Sequence, residues 1–444
     1  MARSTRTEWH PASGRHARPS KNNDDVEVGS TLLKTYRSPV TQNAEDADRL
    51  DADSAVWWTL VQLTGPAPRV PVGPVDWSRL INLAFRHKSV LLLRRNLDRM
   101  PEIQMPDPAR RQLENIARAQ AFRALLLARE TCLVASALRD AGIKAAVMKG
   151  APLSLMIHYD LALRDPGDID ILLPPSQARE AAVELEGLDY RADFGALLSS
   201  DRQRKRLMRV TNQLAFLAPS KEIGVELHWR WQKVEGMMPT DPHRAWAQPM
   251  VMAGMGEILV PDRIEHFIYL CAHGLSHGWM RLKWLNDIRW TLQNGRLNQN
   301  DWEGVVDRAR EIGMSGAVGA AALVAARIDN VPLPPPIERL VQSLPRCEIL
   351  AEQSLDWMLE TASLREDPLH SRHPLKIARS LLRHTALSAS HTRQERVSRF
   401  RLLFAPTPPE LVMIDLPRGL EVGYLFIRAA RMLGRALPAR AEGQ

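Results

Sequence analysis

The feature that most limits what this chain can fold into is a change of hydrophobic period at Gly142. Upstream of it, "WSRLINLAFRHKSVLLLRRNL" and "ARRQLENIARAQAFRALLLARETCLVASALRDAGI" place apolar residues every three or four positions, the spacing of helices that bury one stripe. The second run stops at Ala141-Gly142, and glycine is the residue that most readily closes a helix. Beyond that point the apolar runs are short. "IKAAVMKG" (143–150) reads as a strand stopped by glycine, "APLSLMIHY" as a helix, and "DIDILLPP" (168–175) as a strand ended by two prolines. "SQAREAAVELEGL" follows as a helix with Ser176 as N-cap. "NQLAFLAP" and "IGVELHWRW" (223–231), separated by "SKE", read as a hairpin. From about residue 240 the pattern is helical again, with proline-rich breaks at 332–336 and 406–409. The expected fold is α+β: a small mixed sheet (143–235) between a helical leader (54–142) and a helical C-terminal region (240–437).

Composition narrows the setting. Residues 1–50 are polar, with almost no periodic apolar pattern, and read as a disordered tail. The remainder belongs to a chain that is 45% hydrophobic, enough for a full core. Three widely spaced cysteines, Cys132, Cys271 and Cys347, form no CxxC and suggest no disulfide framework, which fits a reducing cytoplasm. No apolar run approaches the ~20 residues that span a bilayer, and the N-terminus shows no apolar signal core. The net charge of +8 is mild, and no basic-aromatic motif of a nucleic-acid module is present, so a nucleic-acid partner is not expected.

The chemistry gathers at "RDPGDIDILLPP" (164–175). Side chains of a strand alternate faces, so Asp168 and Asp170 point the same way while Ile169 and Ile171 enter the core. Two carboxylates on one face repel unless a cation lies between them. Oxygen ligands suit Mg²⁺ or Mn²⁺, which bind through a few carboxylates together with substrate phosphates. A third acid, Glu226, sits in "VELHW" on the hairpin, sharing its face with His228. Upstream, Gly150 ends a strand and opens a helix, where backbone amides can receive a phosphate, and Lys149 adds positive charge at the same turn. Two acids on one strand, a third on a neighbour and a phosphate turn suit two-metal phosphoryl or nucleotidyl transfer.

These segments resemble the nucleotidyltransferase superfamily that includes polymerase β and kanamycin nucleotidyltransferase, and more closely an uncharacterised bacterial nucleotidyltransferase family. The family's "LKG…Y…R…DIDLLV" reads here "VMKGAPLSLMIHYDLALRDPGDIDILLP", its "DLHW" reads "ELHW" (226–229), and its "HGxxHGWxRLKWLxD" reads "HGLSHGWMRLKWLND" (273–287). The likeness spans about residues 54–430. It implies Asp168 and Asp170 as the metal-binding pair, Glu226 as the third acid, and Gly150 as the glycine of a Gly-Ser turn. Ala151 stands where the superfamily often has serine, which removes one hydroxyl from the triphosphate and leaves Lys149 or Arg164 to substitute.

In "CAHGLSHGWMRLKWLNDIRW", His273 and His277 share a helical face. The acid of an HExxH zinc motif is absent, so zinc is disfavoured. The alternatives are a packed histidine pair, or a helix that lays His273, His277, Lys283 and Asp287 over the cleft to hold a nucleotide or acceptor. Trp279, Trp284 and Trp290 read as core in preference to base-stacking platforms. The C-terminal "LEVGYLFIRAARMLGRALPAR" has an apolar and a basic side. It is expected to bury Leu420, Tyr424 and Ile427 against the protein in preference to lying on an anionic membrane. The activity expected is Mg²⁺-dependent transfer of a nucleoside monophosphate from an NTP to an unidentified acceptor, which includes the protein itself. The alternative is a non-catalytic nucleotide- or partner-binding protein on the same core.

Overall fold

The computed structural model describes residues 52–165, 167–192, 194, 200–233, 238, 247–362, 405–417, 419–420 and 422–436. The 1–50 tail lies outside them. Among these residues the leader forms α1 (Ala52–Thr64), α2 (Trp77–Arg86), α3 (Val90–Asp98) and α4 (Asp107–Asp140). Asp76 caps α2 by accepting from the Arg79 amide, and Pro106-Asp107-Pro108 opens α4 with its fixed φ and an acid in the first turn. At 34 residues, α4 is about 50 Å long. One stretch of it (Leu113, Ala117) packs into the helical core, and the next turns place Leu127, Val134 and Leu138 under the sheet.

The central block alternates strands and helices: β1 (Ala146–Val147), α5 (Ala151–His158), β2 (Ile169–Leu172), α6 (Ala178–Gly187), β3 (Arg191–Ala192), α7 (Asp201–Val210), β4 (Gln213–Ala218) and β5 (Ile223–His228). Next come β6 (Ala247–Met252) and β7 (Gly256–Pro261). The strands form one mixed sheet in the order β3-β4-β5-β2-β1-β7-β6. The β4–β5 hairpin is antiparallel, and β5 lies parallel to β2. Ile169, Ile171, Val225 and Leu227 fill the core on one face, as strand alternation requires.

Helices α8 (Arg263–Ser276), α9 (Leu282–Gln293), α10 (Gln299–Glu311), α11 (Ser315–Asp329), α12 (Pro335–Ser343) and α13 (Arg346–Ala362) follow. Their Phe267, Leu285, Val305, Val318, Ile337 and Leu355 share one core with Leu60, Leu80 and Leu93 of the leader. Two short elements, α14 (Pro408–Met413) and α15 (Gly423–Ala436), lie near the C-terminus. The chain is thus α+β, with the sheet between helices drawn from both ends. All three cysteines are buried and unpaired, and no helix among the described residues is long and apolar enough to cross a membrane.

Three local expectations are corrected. Ser176 is not an N-cap: Pro174 and Pro175 wind residues Pro175–Gln177 into a 3₁₀ turn, and α6 starts one step later behind Gln177. Residues 247–261 are not helical but form the β6–β7 hairpin. Its turn runs through Gly254 and Gly256, and Pro249 is tolerated because β6 is the sheet's edge. At the C-terminus, Tyr424 is buried and Ile427 half-buried, but Leu420 is 59% exposed. Leu420 precedes the helix, so the helical register that turns Tyr424 inward does not govern it.

Candidate active site

Parallel pairing of β2 with β5 places Asp170 directly beside Glu226, and two residues on, Leu172 beside His228. Neighbours across a parallel pair share a face, so both acids project from the side opposite the Ile169–Val225 core. His228, two residues after Glu226, joins them: its Nε2 lies 3.1 Å from Asp170 Oδ1 and 3.4 Å from Glu226 Oε2. The other ring nitrogen, Nδ1, is 3.4 Å from Asn212 Nδ2. Asp168 sits one residue ahead of β2 and is half-buried.

Beside this strand the backbone amide of Met148 donates to Asp170 O at 2.9 Å, which carries Lys149 to the acids. Lys149 Nζ is 2.9 Å from Asp170 Oδ1 and also lies over the Tyr269 ring, 5.8 Å from its centroid. The next residue, Gly150, has φ +79° and ψ −139°, a backbone state that a side chain disfavours, and it opens α5. Strand, turn and helix N-terminus therefore stand against the aspartates, as a phosphate-receiving turn requires.

The two aspartates differ electrostatically. Burial works against the Asp170 charge, but Lys149 and His228 outweigh it and hold that carboxyl well below the ordinary range. Asp168 is pushed the other way, by burial first and then by the like charges of Asp170 and Glu226, with Lys149 and Lys283 opposing only in part. Burial would also discharge Lys149 and His228; for Lys149 the acids Asp170 and Asp168, and for His228 the hydrogen bonds to Asp170 and Glu226, raise the pKa instead. Burial pushes the Tyr269 hydroxyl up to about 12, so it stays protonated.

The donor atoms of Asp170, Glu226 and His228 all lie within 4.8 Å of one another, the one group of this kind among the described residues. Two carboxylates and an imidazole fit a divalent cation. Sequence reading places Asp168 in the ligand set and His228 among nucleotide contacts; the structure puts His228 inside the tight group and Asp168 at its margin.

Arg164 and Asp287, both expected at the nucleotide, are paired with each other, Nε–Oδ1 2.9 Å and Nη2–Oδ2 3.0 Å, and fully buried. The pair clamps α9 to the loop before β2. His273 and His277 are in contact, ring centroids 4.6 Å apart and the planes tilted by 58°, and both contact Trp284. Burial, with Lys149 and His277 nearby, keeps His273 neutral. The "HG" repeat has a packing reason at Gly274, where a Cβ would lie 2.0 Å from the Trp279 ring. Trp279 and Trp290 are core residues, while Trp284 is half-buried beside the histidines. Lys283, in the first turn of α9, is half-buried beside Arg164, Lys149 and Asp168. Sequence reasoning missed Tyr269 and Asn212. Tyr269 was signalled by its position four residues before His273 on the same helical face; Asn212 had no such signal, since only the register of β4 against β5 brings it to His228.

Residues 73–329, more than half of the chain and including every residue of this site, match a family described as uncharacterised nucleotidyltransferase. No curated protein and no solved structure matches the chain.

Proposed function

The chain belongs to this uncharacterised nucleotidyltransferase family, and from that premise we propose that it transfers a nucleoside monophosphate from an NTP to an acceptor hydroxyl or phosphate. The observation that carries the reading is the register of Asp170 beside Glu226, facing the turn at Gly150. A divalent cation, Mg²⁺ or Mn²⁺, held by Asp170 and Glu226 with Asp168, would supply positive charge where the triphosphate arrives. His228 and Lys149 orient Asp170, and the first amides of α5 face the phosphates. Gly150, Lys149, Arg164, His228, His273, His277, Lys283 and Asp287 are proposed to form the nucleotide pocket, Arg164 and Asp287 by holding its wall in place.

In the transfer, an acceptor oxygen forms a bond to the α-phosphorus while the bond from that phosphorus to the bridging oxygen breaks. Pyrophosphate leaves with the electron pair. Glu226, whose side chain is 26% exposed and so open to an acceptor, takes the acceptor's proton. The sheet thus carries the chemistry on β2 and β5, and the helical regions before β1 and after β7 wall the pocket. Incubation of the full chain with each α-labelled NTP and Mg²⁺, followed by pyrophosphate release and protein labelling, tests the reading. Release that requires the cation supports it; no release and no labelling with any NTP, alongside NTP binding, favours the non-catalytic nucleotide-binding alternative.

A further inference from the structure

Three cations stand at the site, and two are already neutralised. Lys149 is 2.9 Å from Asp170, and Arg164 makes two bonds to Asp287. Among the described residues Lys283 has neither an ion pair nor a side-chain hydrogen bond. Its position is nevertheless fixed. The Lys283 amide donates to His87 O at 3.3 Å, and Asp287, one turn later on the same helical face, is locked to Arg164. Arg164 lies four residues before Asp168, so the face of α9 bearing Lys283 is held over the start of β2.

The placement is costly without a ligand. Lys283 is in the first turn of α9, where the helix dipole disfavours a cation. It is half-buried and shares its surroundings with two other cations. Burial, then Arg164 and Lys149, lower its pKa to about 8, against the pull of Asp168 and Asp287. An anion arriving between Lys283 and the Gly150 turn would relieve all of these at once. The turn itself offers no hydroxyl, because residue 151 is alanine.

We propose that Lys283 is the binding residue for the β- and γ-phosphates of the NTP, so that the triphosphate is gripped from the helical region as well as from the sheet. This rests on the nucleotidyltransferase reading above and adds a polyphosphate subsite to it. The ammonium is a compact point charge suited to phosphate oxygens, and His273, held neutral chiefly by its burial, adds no positive charge beside it.

The test uses the full chain, titrated calorimetrically with Mg²⁺ and each of ATP, GTP, CTP and UTP, with the matching NMPs, and with inorganic tripolyphosphate as competitor. Lys283→Met should weaken the preferred NTP by roughly tenfold to a hundredfold, the range of one lost charged hydrogen bond. NMP affinity should stay within about twofold, and tripolyphosphate competition should disappear. Lys283→Arg should restore NTP binding. Wild-type NTP affinity should fall as pH rises past about 8 and that of Lys283→Arg should not, with Lys149, Arg164, Asp168, Asp287, His273 and His277 facing the group unchanged in both. Equal loss of NTP and NMP affinity, or none, overturns the assignment while leaving the nucleotide reading intact. If the wild type binds no NTP, the nucleotide reading falls and takes the assignment with it.

Discussion

Two charge clusters of this protein, each built around aspartate and a basic side chain, end in opposite states. In the helical core, Arg289 of α9 binds Asp329 at the end of α11, with Nε 3.0 Å from Oδ1. The Arg289 Nη1 donates to Val61 O at 2.8 Å and to Asn286 Oδ1 at 2.9 Å, and Gln293 donates to Asp329 Oδ2 at 3.0 Å. One cation meets one anion, and three helices are tied together. At the sheet, Asp168, Asp170 and Glu226 face Lys149, His228 and Lys283; Asp170 is paired with Lys149 and His228, and Glu226 meets His228, but Lys283 and Asp168 are left without an ion pair among the described residues. The first cluster is complete as folded. The second keeps one carboxylate, Asp168, and one lysine, Lys283, without an ion pair, an imbalance that fits the cation and polyanion proposed for it.

The comparison breaks most sharply at Glu226. Glu226→Gln should reduce nucleotide transfer by about 10²–10⁴-fold, the range of a lost general base, with the melting temperature changed little because the amide oxygen can still accept from His228 Nε2. Retained turnover would remove Glu226 from the chemistry. Asp170→Asn is a poorer probe, since it strands the buried Lys149 and lowers stability as well as activity.

Next in size is Arg289→Met, expected to cost about 3–5 kcal/mol of unfolding free energy by leaving Asp329 buried and unpaired. Turnover per folded molecule should not change. A destabilisation below about 1 kcal/mol in denaturant titration would show that this cluster is not what holds α1, α9 and α11 together.

Smaller effects sharpen the contrast. Gly150→Ala should cost about 1–2 kcal/mol through its positive φ alone, since the nearest atom to the new Cβ, Asp168 O, would be 3.9 Å away. Asp168→Asn should stabilise the protein, measured without divalent cations, by about 1 kcal/mol, as removal of an unmatched functional charge does. The sign follows from linkage. The folded protein raises the Asp168 pKa, so stability is lost as pH rises above the unfolded value near about 3.9. The gain from Asp168→Asn should therefore be present at pH 7 and vanish below about pH 4. Asp170 runs oppositely: its depressed pKa contributes stability above about pH 4 that is lost as the solution is acidified. A variant whose gain grows on acidification would contradict the placement of Asp168.

Much of this was written in local order. The period change at Gly142, the alternation of "DIDIL" and the glycine after Lys149 depend on nearest neighbours along the chain, and so the α+β class, the common face of the acids and the strand–turn–helix at Gly150 were legible. The β6–β7 hairpin was not, because "AQPMVMAGMGEILVP" satisfies a helical period as well as an alternating one and only pairing with β1 selects the strand. The same limit applies to charge. The sequence supplied Lys149, Arg164 and Lys283 as equivalent cations, and it could not say which would be matched. That was decided when residues 123 positions apart, Arg164 and Asp287, met in the core, and when Met148 hydrogen-bonded to Asp170 and set Lys149 against it. Periodicity is a property of a segment, and a segment carries it alone. Charge neutralisation is a property of a place, and places exist only after distant segments have packed.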